Sequence, residues 1–383
     1  MARLSNPEAP LPTLLRLGQS IWLDYIHRDV LRSGELMRLI ESRGVRGVTS
    51  NPTIFEQAVA KGSSYDEAIA RLAAQGKDAA AIFEALAVED VTAACDLFQP
   101  IYEMSGGNDG FVSIEVSPRL ARDAGATIAE ARRLWKAVNR PNVLIKIPGT
   151  AEGLPAVTQA IAEGINVNIT LLFAVTMYER VIGAYLSGLE QRLASGHPVE
   201  AVRSVASFFV SRVDTEVDKR LEAKLQADPS LRLRIEALLG TAAIANAKLA
   251  YQTYVAWFEA ERFRHLMARG AAVQRPLWAS TSTKNPKYSE TMYVEGLIGP
   301  DTINTLPPAT LEAFAQHGIA RRTIDADLDT ARQQLADLER LGIAMEDVTD
   351  FLVAEGVKKF ADSYAALLLA VDAKRAQLAA NRA

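Results

Sequence analysis

Several classes of site are excluded or disfavoured by what this sequence lacks. Its single cysteine, Cys95, cannot form an intramolecular disulfide. The four histidines are scattered, and no two have the spacing that places paired metal ligands on one helix face. We therefore predict no metal site. Neither the G-x-G-x-x-G fingerprint nor the G-x-x-x-x-G-K-S/T loop occurs, so the sequence carries no motif for a bound nucleotide.

The sequence also lacks the features that membrane and nucleic-acid proteins need. Its late apolar run, Ala365 to Val371, is far shorter than the roughly 20 residues of a spanning helix. The first residues contain no continuous apolar stretch and no A-x-A cleavage signal. A net charge of −4 and a pI near 5.8 disfavour nucleic-acid binding, which usually needs a basic surface. We therefore expect a cytoplasmic protein with no membrane or nucleic-acid partner.

What the sequence does contain is a regular alternation of strands and helices. Eight short runs rich in Val, Ile, Phe and Thr predict strands, at Ser20–Tyr25, Gly47–Asn51, Phe111–Ser117, Asn142–Ile147, Ile165–Phe173, Ser204–Val210, Pro276–Ser280 and Asp301–Thr305. Helical sequence follows each run, and parallel strands require such crossover connections. The pattern therefore favours the α/β class and a (β/α)8 TIM barrel. An open doubly wound sheet is the alternative, and the strand number and the missing nucleotide motifs count against it.

Three helical stretches exceed what a minimal barrel needs. They are residues 53–104, residues 222–270 and a carboxyl-terminal extension over 318–383, which includes predicted helices at Asp327–Leu341 and Glu346–Ala379. With 49% hydrophobic residues the chain can bury a large core, and barrels of this size form one domain. We predict one domain over 1–383, with its core strands at about 20–305. The added helices are interpreted as packing around the barrel or as a subunit contact, such as that of a homodimer.

A lysine interrupts the fourth predicted strand, N-V-L-I-K-I-P. Side chains alternate along a strand, so Lys146 shares a face with Leu144 and Pro148, and both faces of a barrel strand are largely buried. A buried ammonium is costly unless it is paired or made neutral. A neutral lysine can form a Schiff base with a carbonyl compound. The alternative is a lysine at the end of the strand that reaches solvent or bridges to a carboxylate.

Neighbouring strands also carry polar residues where a purely structural core would have branched apolar ones. They are Asp24 on the first strand, Thr49 and Asn51 on the second, Ser113, Glu115 and Ser117 on the third, Asn166, Asn168 and Thr170 on the fifth, and Ser207 and Ser211 on the sixth. Barrel enzymes keep their active sites at the carboxyl ends of the strands. We therefore expect a polar site without metal ligands at that end of the barrel.

Seven segments of the sequence carry a resemblance to a known family. They are W-L-D (Trp22–Asp24), T-S-N-P-T (Thr49–Thr53), V-S-I-E-V-S-P (Val112–Pro118), L-I-K-I-P-G-T (Leu144–Thr150), N-V-N-I-T-L-L-F (Asn166–Phe173), F-F-V-S-R-V-D (Phe208–Asp214) and W-A-S-T-S-T-K-N-P (Trp278–Pro286). In this order they resemble the transaldolase family, in its longer bacterial subtype. That resemblance implies a Schiff-base barrel enzyme of the pentose phosphate pathway, which moves a dihydroxyacetone unit from a ketose phosphate to an aldose phosphate.

The resemblance also implies the catalytic roles. Lys146 would attack the ketone of sedoheptulose 7-phosphate or fructose 6-phosphate. Glu115 and Thr170 would hold the water that moves protons during carbinolamine formation and dehydration. Asp24 would take the proton of the C4 hydroxyl as the C3–C4 bond breaks. The iminium nitrogen is the electron sink, so no metal or organic cofactor is expected.

Substrate contacts follow from the same resemblance. Asn51, Asn168 and Ser207 would hold the hydroxyls of the dihydroxyacetone unit, with Thr49 and Phe209 nearby. Arg212 is the expected phosphate ligand, because guanidinium binds phosphate oxygens bidentately. Ser280 and Lys284 are the further candidates. The loop that carries these two departs from the better-known branch, which has an arginine in a shorter segment.

Three alternatives remain open at this stage. Fructose-6-phosphate aldolases share the lysine and release free dihydroxyacetone, but they tend to carry glutamine in place of Glu115 and tyrosine in place of Phe209. A tyrosine hydroxyl could protonate the enamine, whereas phenylalanine cannot. A non-catalytic sugar-phosphate binder would have no use for a buried nucleophilic lysine. A pyridoxal phosphate enzyme is the other Schiff-base alternative, and a bound chromophore would reveal it.

Overall fold

A closed parallel barrel forms the centre of the computed structural model, which describes residues 9–50 and 52–380. Its strands are β1 Gln19–Leu23, β2 Gly47–Val48, β3 Val112–Glu115, β4 Val143–Pro148, β5 Val167–Leu172, β6 Ser204–Phe209, β7 Gln274–Ala279 and β8 Thr302–Leu306. They follow each other around the barrel in chain order, and β8 closes the ring by pairing with β1. The (β/α)8 prediction is confirmed, and an open sheet is excluded.

Helices surround the barrel and also form the predicted additions. They are α1 Pro10–Arg16, α2 Arg28–Arg32, α3 Glu35–Arg43, α4 Pro52–Lys61, α5 Asp66–Ala74, α6 Ala79–Met104, α7 Ala124–Val138, α8 Leu154–Ala162, α9 Val175–Ala194, α10 Ser211–Ala227, α11 Arg232–Glu236, α12 Ala242–Glu259, α13 Glu261–Met267, α14 Met292–Glu295, α15 Pro308–His317, α16 Leu328–Arg340 and α17 Met345–Ala380. Both expected insertions and the carboxyl-terminal extension are helical. None of these helices, within the residues described, combines the length and the apolar character that a membrane span requires.

Local sequence accounts for where several helices begin and end. Asp78 and Asp123 accept hydrogen bonds from backbone N–H groups in the first turns of α6 and α7, as N-cap residues do. Asn139 ends α7 in the left-handed conformation that few residues other than glycine and asparagine adopt readily. These boundaries set the lengths of the loops that lead into the strands.

Polar hydrogen bonds close the amino-terminal end of the barrel. Gln19 donates to the Leu297 carbonyl at 2.7 Å, and Trp22 Nε1 donates to Asp109 at 2.9 Å. Ser20 also donates to Asp109. Gln19, Ser20 and Trp22 are all buried, so this end of the barrel is filled by packed side chains. The open space for a site is at the carboxyl ends of the strands.

Helix α17 lies across that open end. It has 36 residues, which at 1.5 Å per residue is about 54 Å. Ser363 accepts a hydrogen bond from Thr53, just after β2, at 3.1 Å. Further along the helix, Lys374 forms an ion pair with Asp66 at 3.0 Å. The extension is therefore attached to the same face of the barrel on which a site is expected.

Candidate active site

Lys146 projects from the middle of the barrel wall. The strand register places it beside Glu115 of β3 and Asn168 of β5. Its side chain is 7% exposed, its Nζ donates to the Ser50 carbonyl at 3.2 Å, and the nearest Glu115 oxygen is 3.8 Å from Nζ. The lysine therefore does not reach solvent, but the other form of that alternative, a bridge to a carboxylate, is present: a buried amine is paired with a buried carboxyl group.

Glu115 has unused hydrogen-bonding capacity next to that amine. Neither carboxyl oxygen has a hydrogen-bond partner among the described residues, and the same is true of the Thr170 hydroxyl. Burial raises the pKa of Glu115 to about 7, although Lys146 opposes this shift; Asp24 adds to it. A carboxyl group that titrates near neutral pH can both accept and donate a proton during one reaction cycle.

A cavity of about 540 Å³ opens in front of Lys146. Its lining includes most of the residues predicted from the sequence, namely Asp24, Thr49, Lys146, Thr170, Ser207, Phe209, Arg212, Ser280 and Lys284. Asp24 is held in place by Thr49, whose hydroxyl donates to Oδ1 at 2.9 Å. Polar groups from six strands or the loops that follow them therefore converge on one space that is large enough for a sugar phosphate.

The remaining predicted residues lie beside the cavity or outside the described part of the chain. Asn168 is fully buried behind the lining, where it accepts a hydrogen bond from Ser207 at 2.7 Å and donates to Ser113 at 3.0 Å. It therefore orients Ser207. Glu115 lines a separate, smaller cavity. Asn51 lies outside the described residues.

Two cations face the same part of the cavity. The Arg212 guanidinium stacks on the Phe209 ring at 5.2 Å, and its buried Nη1 has no hydrogen-bond partner in the described structure. Burial lowers the pKa of Arg212, and burial together with repulsion from Arg212 lowers the pKa of Lys284. Lys284 Nζ also donates to Ser282 at 2.6 Å. A bound anion would relieve this repulsion, so the pair is suited to phosphate.

The loop that carries Lys284 is attached to the helix that carries Arg212. Two carboxylates of α10 accept hydrogen bonds from tyrosines on the chain after β7: Asp218 from Tyr288 at 2.7 Å and Asp214 from Tyr293 at 2.9 Å. Ser280, at the start of this loop, has a φ of 55° and lies 3.1 Å from Ser211, oxygen to oxygen. Strained non-glycine residues of this kind often occur at functional sites.

Sequence reasoning missed an aromatic residue of the cavity. Phe360 of α17 lines it, with the ring centre 5.5 Å from Lys146 Nζ. Nothing in the sequence signalled this, because the extension has only the apolar pattern of a packing helix. The interpretation of 318–383 as packing or a subunit contact therefore leaves out a contact with the site.

Comparison with known proteins places this geometry in a family. The profile of the Transaldolase/Fructose-6-phosphate aldolase family matches residues 21–371. The chain belongs to that family. The resemblance seen in the seven motifs is thereby confirmed over most of the sequence.

Individual relatives are similar over nearly their whole length. A protein of Parafrankia named transaldolase is 51% identical over 94% of this chain and 96% of its own. A transaldolase of Mycolicibacterium smegmatis is 50% identical over 98% of this chain and 99% of its own. A transaldolase of Trichodesmium erythraeum is 45% identical over 94% of this chain and 95% of its own.

Proposed function

We propose that this protein is a transaldolase. It transfers a dihydroxyacetone unit from a ketose phosphate, such as fructose 6-phosphate or sedoheptulose 7-phosphate, to an aldose phosphate. The observation that carries the proposal is the buried Lys146 amine, 3.8 Å from Glu115, in a cavity that also contains two cations. The transaldolase relatives at about 50% identity support the same function.

One residue, Lys146, acts as the nucleophile, and two others, Glu115 and Asp24, transfer protons. Lys146 Nζ attacks the ketone carbon, and Glu115 returns and removes protons as water leaves and the iminium forms. Asp24 then takes the proton of the C4 hydroxyl. The C3–C4 electron pair moves toward the iminium nitrogen, the aldehyde leaves, and an enamine stays attached to Lys146. An aldose phosphate acceptor reverses these steps.

Two residues favour transfer over release of free dihydroxyacetone. Glu115 is a carboxyl group where the aldolase branch tends to have an amide. Phe209 packs against Phe173, with ring centres 5.3 Å apart, and presents no hydroxyl to the cavity. Without an acid at this position, protonation of the enamine carbon is slow, so the attached unit persists until an acceptor binds.

Borohydride trapping tests this function most directly. Incubation with fructose 6-phosphate and borohydride, followed by peptide mapping, is expected to show a dihydroxyacetone-sized adduct on Lys146. Addition of erythrose 4-phosphate before the borohydride should remove the adduct and produce sedoheptulose 7-phosphate. A folded protein that forms no adduct would refute the lysine mechanism and leave a non-catalytic sugar-phosphate binder. An adduct that the acceptor does not discharge would indicate an aldolase.

The proposed phosphate site makes a separate prediction. Arg212→Ala is expected to raise KM for fructose 6-phosphate by about 10–100-fold, the loss expected for charge-assisted hydrogen bonds to a phosphate. Unphosphorylated fructose should be affected much less. Lys284→Ala should also raise KM for the phosphorylated sugar. The control is Arg220→Ala, which should leave KM unchanged. Arg220 lies farther along α10, where it is paired with Glu216 at 2.8 Å. An equal rise in KM for both sugars would show that Arg212 does not bind the phosphate.

We further propose that the protein acts on these sugar phosphates in the pentose phosphate pathway, in the cytoplasm. The support is the family assignment and the transaldolase relatives. A homodimer stays a prediction from the sequence.

A further inference from the structure

Helix α17 passes over the carboxyl ends of several strands. Gly356 lies against Leu171 of β5, where a Cβ on this glycine would come within 2.9 Å of the leucine side chain. The same Cβ would be 3.9 Å from Arg212, which follows β6. One turn later, Phe360 reaches the cavity. Next to it, Ser363 and Tyr364 contact Thr53 and Phe83. The position of Phe360 is thus set by contacts on both sides.

The Phe360 ring borders the space in which the covalent intermediate forms. Its centre is 5.5 Å from Lys146 Nζ, and the carbons of an attached dihydroxyacetone unit lie within a few bonds of that nitrogen. Phe360 is half-buried and apolar. Phe209, on β6, also lines the cavity. Two aromatic rings from different parts of the chain therefore face the reacting groups.

We propose that Phe360 is a specificity-determining residue that shields the Lys146 enamine from water and so favours transfer over release. This inference rests on the proposed transaldolase function. Release and transfer differ at C3 of the enamine: in release a proton from water forms a C–H bond there, whereas in transfer C3 forms a C–C bond with the aldehyde carbon of the acceptor. In both cases water then adds to C2 of the resulting iminium, the C2–N bond breaks, and the Lys146 amine is regenerated, with free dihydroxyacetone as the other product of release and the new ketose phosphate as that of transfer. An apolar ring beside the enamine lowers the access of water to C3 in the resting intermediate, whereas the aldehyde acceptor arrives as a bound substrate.

The experiment measures the fate of the intermediate rather than total activity. Each variant is given fructose 6-phosphate and saturating erythrose 4-phosphate, and free dihydroxyacetone and sedoheptulose 7-phosphate are quantified in the same sample. Phe360→Ala is expected to raise the ratio of release to transfer at least about fivefold. Phe360→Leu keeps an apolar cover and should stay within about twofold of the parent protein. Because the readout is a ratio, a partly unfolded fraction does not change it.

A second substitution tests the position of the helix without changing the ring. Gly356→Ala places a methyl group against the buried Leu171 and should move α17 away from β5. It is expected to raise the same ratio. The control is Phe351→Ala, which removes the same side chain from the same helix. That ring is 42% exposed and faces Arg220 outside the cavity, so its loss should leave the ratio unchanged.

The outcomes separate this inference from the function on which it rests. If the parent protein forms no borohydride adduct, the transaldolase proposal itself fails. If the adduct forms and discharges normally but Phe360→Ala leaves the ratio unchanged, the shielding role is wrong and the function stands. The shielding role is also wrong if Phe351→Ala raises the ratio as much as Phe360→Ala.

Discussion

Lys146→Met is expected to lower kcat by about 10⁴–10⁶-fold, the scale of loss when a covalent nucleophile is removed. Methionine retains the length and the apolar stem of lysine but cannot form a Schiff base. The barrel should stay folded, because methionine keeps the apolar stem of the side chain, and the lost amine is 3.8 Å from its carboxyl partner, beyond hydrogen-bond distance. Initial rates, the borohydride adduct and thermal unfolding together check this prediction.

Lys248 provides a matched control for this substitution. It is the other lysine with a buried side chain in the described structure, and its Nζ donates to the Ala326 carbonyl at 2.7 Å. Burial lowers the pKa of Lys248, which is not at the cavity, so burial alone cannot identify the reactive lysine. Lys248 lies on α12, away from the cavity, and Lys248→Met should leave kcat within about twofold of the parent value. Turnover that survives in Lys146→Met, or an adduct that appears on Lys248, would contradict the assignment.

The strand pattern was sufficient to predict the barrel, because each strand is a short apolar run bounded by turn residues. Even so, the predicted second strand, Gly47–Asn51, is reduced to Gly47–Val48. Gly47 lies against the Trp22 ring, where a Cβ would come within 2.6 Å of the side chain. A close approach of this kind depends on tertiary packing. The local sequence therefore does not show that the strand pairing of β2 ends at Val48.

The polar residues of the site were predictable because alternation along a strand shows which side chains share a face. Glu115 and Lys146 become neighbours through the register of β3 and β4, which the sequence leaves open. The contribution of Phe360 could not be found in this way. It depends on where α17 crosses the barrel, and this is set by contacts such as that of Lys374 with Asp66, more than 300 residues away in the chain.

Glu115→Gln is expected to lower kcat by about 10²–10⁴-fold, the usual contribution of a positioned proton-transfer group. Glutamine has the size of a protonated glutamic acid but cannot exchange a proton with the carbinolamine. Since burial raises the pKa of Glu115 to about 7, the parent protein should show an inflection in kcat/KM near that pH. The variant should lose the inflection, and rates of borohydride trapping should fall with kcat. Glu130→Gln is the control, because Glu130 accepts a hydrogen bond from the Ser117 N–H at 3.1 Å and has no contact with Lys146.

The same substitution should stabilise the protein at alkaline pH. The carboxyl group of Glu115 loses its proton near pH 4.5 in the unfolded chain, but the pKa of this group in the folded protein is about 7. Between these values the folded state binds a proton that the unfolded state has lost, so raising the pH lowers the free energy of unfolding. Glutamine does not titrate, so the variant does not lose this part of its free energy of unfolding as the pH rises. Parent and variant should be equally stable at pH 4, and the variant should be more stable at pH 8 by on the order of 1–3 kcal/mol. Urea unfolding at the two pH values measures this difference. A variant that is less stable at pH 8 would show that ionised Glu115 stabilises the fold through Lys146, and that the carboxyl group is kept charged for structure rather than poised for proton transfer.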